Sequence, residues 1–241
     1  MTTPLLLSII IPAYNEENRL PGTIERMAAF LQTQSYDHEV IIVENGSRDR
    51  TLEIAKTCAA EYPAFRVVKL EERGKGLAVR HGMLAAQGQF RFMCDADLSM
   101  PIEELPRFLP PNFPDAEIVI ASREAPGAVR YNEPQHRHIG GRLVNWVIRL
   151  FAIPGIQDTQ CGFKSFKADA AEDLFSCQVM NGWSFDIELL YIARRKGYRI
   201  EELPIPWYYS DQSHVSPMKD ALRMAWDIYK IHMNARRGVY G

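Results

Sequence analysis

The chain has no apolar run long enough to cross a bilayer. Its longest candidate, Leu143 to Ile156, is interrupted by Asn145, Arg149 and Pro154 and falls short of the roughly 20 apolar residues that a spanning helix needs. No transmembrane segment is expected, although a protein without one can still lie on a membrane surface. The apolar stretch Leu5 to Ile11 stops at Pro12 after a strand's length and lacks the basic flank and small-residue cleavage site of a signal peptide. Cysteine is scarce: Cys58, Cys94, Cys161 and Cys177 lie far apart with no C-x-x-C pair. That argues against a zinc site or a disulfide framework and favours a reduced, cytoplasmic protein. An excess of either charge is missing too. Lys and Arg total 28 against 30 Asp and Glu, a formal net charge of −2, which disfavours nucleic acid as the main partner because such proteins are normally basic. Repeats and low-complexity tracts are absent.

What is present in the first half is alternation. Short β-rich runs at Ser8 to Pro12, Glu39 to Glu44, Phe65 to Leu70, Phe90 to Cys94 and Glu117 to Ser122 are separated by helically spaced stretches over Glu17 to Gln32, Asp49 to Glu61 and Lys75 to Gln87. This is the pattern of βαβ units wound into a parallel sheet. Ala125 to Pro134 breaks into Gly, Pro, Asn and charged residues and is expected to be a mobile loop. Beyond it the spacing predicts helices over His138 to Phe151, Phe185 to Lys196 and Pro217 to Asn234, with a short strand near Ile200 to Ile205. With 241 residues and no linker, the chain reads as one α/β domain with a C-terminal elaboration. The last helix carries Met218, Ala221, Leu222, Ala225, Ile228, Tyr229 and His232 on one side and Lys219, Arg223 and Lys230 elsewhere. Such a stripe packs on a sheet or, in a basic helix, binds a membrane surface.

The chemistry gathers at strand ends. Phe90 to Cys94 runs into Asp95-Ala96-Asp97, two carboxylates at i, i+2 that an extended chain points to one side. At the end of a buried strand they stand on the rim where open α/β sheets bind ligands. A Mg²⁺ that carries a diphosphate takes one or two such carboxylates; a solvated Asp-x-Asp turn is the alternative. Pro12-Ala13-Tyr14-Asn15-Glu16, Glu44-Asn45-Gly46-Ser47 and Glu72-Arg73-Gly74-Lys75-Gly76 close the three preceding strands. Lys75 between two glycines can approach a phosphate, but the spacing of a Walker motif is missing.

Taken in this order and spacing, Ile9 to Glu16, Glu44 to Ser47, Gly74-Lys75-Gly76 and Asp95-Ala96-Asp97 resemble a family 2 glycosyltransferase of the GT-A (Rossmann-like) fold, with a mostly parallel central sheet flanked by helices. Asp95 to Ser99, Asp158-Thr159-Gln160-Cys161-Gly162-Phe163-Lys164 and Trp183 to Tyr191 resemble its dolichyl-phosphate and polyprenyl-phosphate β-glucosyltransferase branch. The resemblance implies an inverting transfer of a hexose, glucose favoured, from a UDP- or GDP-sugar to a polyprenyl phosphate with Mg²⁺ or Mn²⁺. A mannosyl transfer, or a hydroxyl acceptor with Asp186 as base, is the alternative. It also implies a nucleotide-sugar-binding half over residues 1–123 and an acceptor-binding half over 124–241.

On that basis Pro12, Ala13, Tyr14, Glu16 and Glu44 border the nucleoside. Lys75, Asp95, Ala96, Asp97, Gln160, Lys164 and Trp183 contact the diphosphate and sugar. Asp95 and Asp97 hold the metal, with His214 a further ligand. Arg123 and Arg137, with Arg130 in second rank, hold the acceptor phosphate, for which the bidentate fork of Arg is suited. The family usually has Asp-Asp where Glu44-Asn45 stands, a departure that bears on the contact with the base. The mannosyl branch typically has Gln where Ser99 stands, so mannose is disfavoured.

Overall fold

The computed structural model describes residues 5–134, 148, 152–209 and 217–241. Its elements in chain order are β1 (Leu7–Ala13), α1 (Leu20–Gln32), β2 (His38–Asn45), α2 (Thr51–Glu61), β3 (Phe65–Leu70), α3 (Lys75–Ala85), β4 (Phe90–Cys94), a 3₁₀ segment (Ile102–Phe108) and β5 (Ile118–Ser122). There follow β6 (Val129–Tyr131), β7 (Phe163–Lys167), α4 (Ala168–Cys177), α5 (Phe185–Arg195), β8 (Ile200–Pro204), β9 (Pro206–Tyr208) and α6 (Pro217–Arg236).

Seven strands form one sheet in the order β3-β2-β1-β4-β7-β5-β8. All pair in parallel except β7, which runs antiparallel to both β4 and β5. Strands covered on both faces read as continuous apolar runs, and Leu7-Ser8-Ile9-Ile10-Ile11 is buried throughout. Successive side chains serve opposite layers: Leu7, Ile9 and Ile11 pack with α1, α2 and the 3₁₀ segment. Ile10, with Ile41 and Val43, packs on the layer formed by α3, α4, α5 and α6. Gly82 permits this close docking, since a Cβ there would lie 2.4 Å from Ile10 Cγ2.

Five elements, β9 among them, differ from the sequence expectation. β7, inside Asp158 to Lys167, is a central strand whose Phe163 and Phe166 are buried. The stretch Ala125 to Pro134, expected to be a mobile loop, contains β6, which pairs with β9 through Arg130 and Trp207. The 3₁₀ segment and α4 also arise where no element was expected. Among the described side chains of α6 the buried ones are Ile228, Ile231 and Ala235, while Tyr229 is 52% and Trp226 57% exposed and Ala225 is exposed too, so Tyr229 and Ala225 leave the apolar stripe to which their spacing assigned them. The helix expected over His138 to Phe151 lies outside the described residues apart from the buried Ile148.

Candidate active site

The loops after β1 and β2 are stitched together. The backbone N–H groups of Asn15, Glu16 and Glu17 donate to Ser47 Oγ (3.0 Å), Thr51 Oγ1 (2.7 Å) and Asp49 Oδ2 (3.2 Å). Arg48 N–H returns a bond to Asn15 Oδ1 at 2.9 Å. Gly46 has φ of 74° and a Cβ there would lie 2.9 Å from the Glu71 carbonyl oxygen, so only glycine makes this turn. Glu44 is buried and accepts the Ser47 N–H. Beside it Asn45 Oδ1 is a buried acceptor with no partner among the described residues. Ala13 is buried, Pro12 and Tyr14 are half-buried, and the Arg73 guanidinium lies 4.2 Å from the Tyr14 ring centroid.

The acidic rim follows β4. Lys75 Nζ lies 2.7 Å from Asp95 Oδ1 and 4.9 Å from the Trp183 ring centroid. Burial works to discharge Lys75, but Asp95, Asp186 and Asp97 outweigh it and hold its pKa above the ordinary value. Asp97 is exposed and its Oδ1 accepts the Ser99 N–H at 3.0 Å. The intervening Leu98 takes φ of 45°, a strained backbone for such a side chain. Thr23 Oγ1 donates to the Ala96 carbonyl at 2.6 Å, fixing the middle of the rim to α1. Glu16 accepts two hydrogen bonds from the Arg19 guanidinium (2.6 and 2.8 Å). Its pKa is nevertheless raised, first by burial, against the pull of Arg19 and helped by Asp97 and Asp95.

The segment Asp158 to Lys164 connects this rim to a cationic cluster. Asp158 is fully buried and receives Arg123 three times: backbone N–H at 3.0 Å, Nε at 2.6 Å and Nη2 at 2.9 Å. Burial opposes the charge on Asp158, yet Arg123 holds its pKa down at about 2. Four residues on, Gly162 accepts the Asp95 N–H at 3.2 Å, and a Cβ there would fall 1.8 Å from Asp95 Oδ2. At the end of the segment, buried Lys164 donates to Asp186 Oδ1 and to the Cys161 carbonyl, both at 2.6 Å. Asp186 is 4% exposed, and burial raises its pKa despite Lys164 and Lys75. Burial pushes the Cys161 thiol up to about 12, so it is packed and unreactive. Arg130 is bound by Glu124, by both oxygens of Glu133 and, through Nε, by the Arg123 carbonyl. Arg123 and Arg130 both approach the Trp207 ring, at 5.5 and 5.8 Å.

The sequence model of Glycosyl transferase family 2 matches residues 8–175, which span β1 to α4 and so contain the acidic rim, Lys75, Arg123 and the connecting segment. The chain belongs to glycosyltransferase family 2. It is 36% identical to the dolichyl-phosphate beta-glucosyltransferase of Drosophila melanogaster, over 94% of this chain and 74% of that one. Identity to the human protein of the same name is 31%, over 97% and 77%. Among solved structures, glucosyl-3-phosphoglycerate synthase from Mycobacterium tuberculosis, in complex with Mn²⁺, UDP-glucose and phosphoglyceric acid, superposes with a TM-score of 0.64 at 19% identity. That match covers 97% of this chain and 80% of the synthase and shows the GT-A fold.

Within this glycosyltransferase, Lys75, Asp95, Asp97, Lys164, Asp186 and Trp183 form one connected group, and Arg123 joins it through Asp158 to Lys164. Gln160 lies in that segment, its backbone N–H donating to Asp158 Oδ1 at 3.3 Å. Glu44 accepts the Ser47 N–H, and Lys164 is paired with Asp186 and bound to the Cys161 carbonyl, so Lys164 presents no free charge. Ser99 donates its N–H to Asp97, and its carbonyl accepts from Tyr208. Arg137 and His214 lie outside the described residues. Among the described residues, no group of three or more His, Cys, Asp or Glu side chains stands together as a metal site. Sequence reasoning missed the pairing of Arg73 with Tyr14 and the role of Asp158 as the partner of Arg123. An acidic residue opening a matched motif was the available signal for the second.

Proposed function

We propose that this glycosyltransferase moves glucose from UDP-glucose to the phosphate of dolichyl or another polyprenyl phosphate, with inversion at the anomeric carbon. The observation that carries the reading is the Asp158 to Lys164 segment, which holds a guanidinium at one end and the acidic rim at the other. The names of the relatives support the same sugar and acceptor, and the UDP-glucose bound by the mycobacterial synthase supports the donor.

The donor set suits a hard divalent cation. Asp95 and Asp97 offer oxygen only, Asp97 is exposed, and two carboxylates leave the remaining positions to diphosphate oxygens and water, as Mg²⁺ and Mn²⁺ prefer. The Mn²⁺ in the mycobacterial synthase supports this choice. Asp95 and Asp97 would hold such a metal, and the charge it would supply is positive charge beside the departing diphosphate. Lys75, kept protonated by its carboxylate neighbours, adds a second positive charge. The ring of Trp183, 63% exposed beside it, is placed to stack on the sugar. Tyr14, with Pro12, Ala13 and Glu16, borders the nucleoside, and Asn45 Oδ1 supplies a buried acceptor suited to the N–H of a uracil edge.

The acceptor phosphate carries about −1.5 to −2 charge at neutral pH and is already a nucleophile. The protein therefore has to position it and offset its charge more than abstract a proton. Arg123, held in one orientation by Asp158, is the cation for this task, with Arg137 its proposed companion from sequence position. Asp186 Oδ1 is occupied by Lys164, which supports a role for Asp186 in orienting Lys164 and Lys75. The exposed Trp226 and Tyr229 are stacked 5.2 Å apart, with exposed Arg223, Lys230, Arg236 and Arg237 on the same stretch. This supports docking of α6 on an anionic membrane surface, and failure of the protein to float with anionic vesicles at low salt would count against it.

The test is a donor panel. UDP- and GDP-sugars are supplied with Mg²⁺ or Mn²⁺, with and without polyprenyl phosphate, and the lipid product is identified by mass spectrometry. A glucosyl lipid from UDP-glucose is expected. A mannosyl lipid from a GDP-sugar, or transfer to hydroxyl acceptors alone, overturns the reading.

A further inference from the structure

Two acidic residues open α5, and only Asp186 joins the charged cluster. Glu188 is fully buried and turns away from it. Its Oε2 accepts the backbone N–H groups of Val179 (3.2 Å) and Met180 (2.8 Å), and its Oε1 accepts the phenolic O–H of Tyr240 at 2.8 Å. Tyr240 is itself 3% exposed, although it lies beyond the end of α6. An unpaired carboxylate is costly to bury; these three donors offset that cost, and a buried network so satisfied fixes the geometry of its members.

What Glu188 fixes is the wall of the donor site. Gln178 Nε2 donates to the carbonyls of Gly76 (2.9 Å) and Met180 (2.8 Å). Leu77 N–H donates to the Asn181 carbonyl at 3.2 Å. The contact is close enough that a Cβ on Gly74 would lie 2.5 Å from the Asn181 carbonyl oxygen, and one on Gly76 2.5 Å from that of Met180. Residues 178–182 are thus the surface on which the Gly-Lys-Gly turn seats, and they lead directly into Trp183. A second tie to α6 follows at once, Ser184 Oγ donating to Asp227 Oδ2 at 2.7 Å.

We propose that Glu188 and Tyr240 are positioning residues for the nucleotide-sugar donor: a latch by which the C-terminal segment holds residues 178–183, and through them Lys75 and Trp183, in place for the diphosphate and sugar. The latch rests on the donor role given above to Lys75 and Trp183. It touches no reacting atom. Its loss should weaken donor binding and leave the acceptor side unchanged.

Tyr240→Phe removes the O–H and keeps the ring. The expected result is a rise of about tenfold in the Kd and KM for UDP-glucose, the size of one hydrogen bond to a charged group, with kcat and the KM for polyprenyl phosphate unchanged. In a Lys75→Ala background the same substitution should add less than it does alone, because part of its effect runs through Lys75. Glu188→Gln, which can still accept both N–H groups and donate to Tyr240, should bind UDP-glucose like the unaltered protein, whereas Glu188→Ala should not. An unchanged Kd in Tyr240→Phe, or an effect fully additive with Lys75→Ala, overturns the latch alone. Absence of UDP-glucose binding by the unaltered protein overturns the donor assignment, and the latch with it.

Discussion

The two charged regions of this glycosyltransferase are built on opposite plans. Around β4 the carboxylates of Asp95, Asp97 and Asp186 face Lys75 and Lys164, Glu16 is bound by Arg19, and Asp97 stands exposed. Around β5 each guanidinium is already matched: Arg123 by Asp158, and Arg130 by Glu124 and Glu133. The first region leaves the Asp97 carboxylate exposed and is suited to a ligand that brings its own cation. The second is neutralised internally, so its cations gain orientation at the expense of free charge. Fixed dipoles and charges that need no rearrangement are what stabilise a developing charge most effectively.

Asp97→Asn tests the open region most severely. Turnover of UDP-glucose should fall by about 10³-fold, the scale for losing a group that stabilises the departing charge, while thermal unfolding changes little because the side chain is exposed. Equal activity in the variant would remove Asp97 from the site. Asp158→Asn tests the matched region. It leaves Arg123 without its anion and should cost about 3 kcal/mol in denaturant unfolding, the lower end for breaking a buried pair. The same contact has an acid signature. Asp158 is held at about 2, below its ordinary 3.8, so its contribution is complete above about pH 4 and is lost as pH falls through about 2. The variant should show a flatter stability profile over that window, and an identical slope would refute the pairing. Gly162→Ala tests the joint between the regions. Its Cβ falls 1.8 Å from Asp95 Oδ2 and must displace that carboxylate from Lys75. A loss of about 10²-fold in kcat/KM, as for a displacement of about 1 Å in a catalytic group, is expected with Arg123 and Asp158 undisturbed. Wild-type kinetics would show that Asp95 tolerates the shift.

The parallel strands were legible because strands covered on both faces write their burial as unbroken apolar runs, as in Ile9-Ile10-Ile11 and Val40-Ile41-Ile42-Val43. β7 was not, since Phe163-Lys164-Ser165-Phe166-Lys167 alternates lysines with aromatics, and nothing local says that Lys164 is buried against Asp186. β6 and β9 are three residues each, and their pairing joins segments far apart in sequence; such contacts leave no periodic trace. Tyr229 was misplaced because helical spacing alone does not fix the angle at which a helix meets the sheet. In the site, Asp97, Lys75 and Arg123 could be read from their places at strand ends. Their partners could not: that Arg123 is locked by Asp158 depends on the strand that brings two distant stretches together.

That strand also sets the limits of modularity. β5 reaches the rest of the sheet only by way of β7, which begins one residue after Gly162 and places Phe163 beside Cys94, just before Asp95. A seam cut after residue 123 would therefore divide a continuous fabric. An engineered hybrid that borrows another enzyme's acceptor half at that seam would import a foreign backing for Asp95 along with it. Residues 158–167 should travel with the donor half in any such exchange.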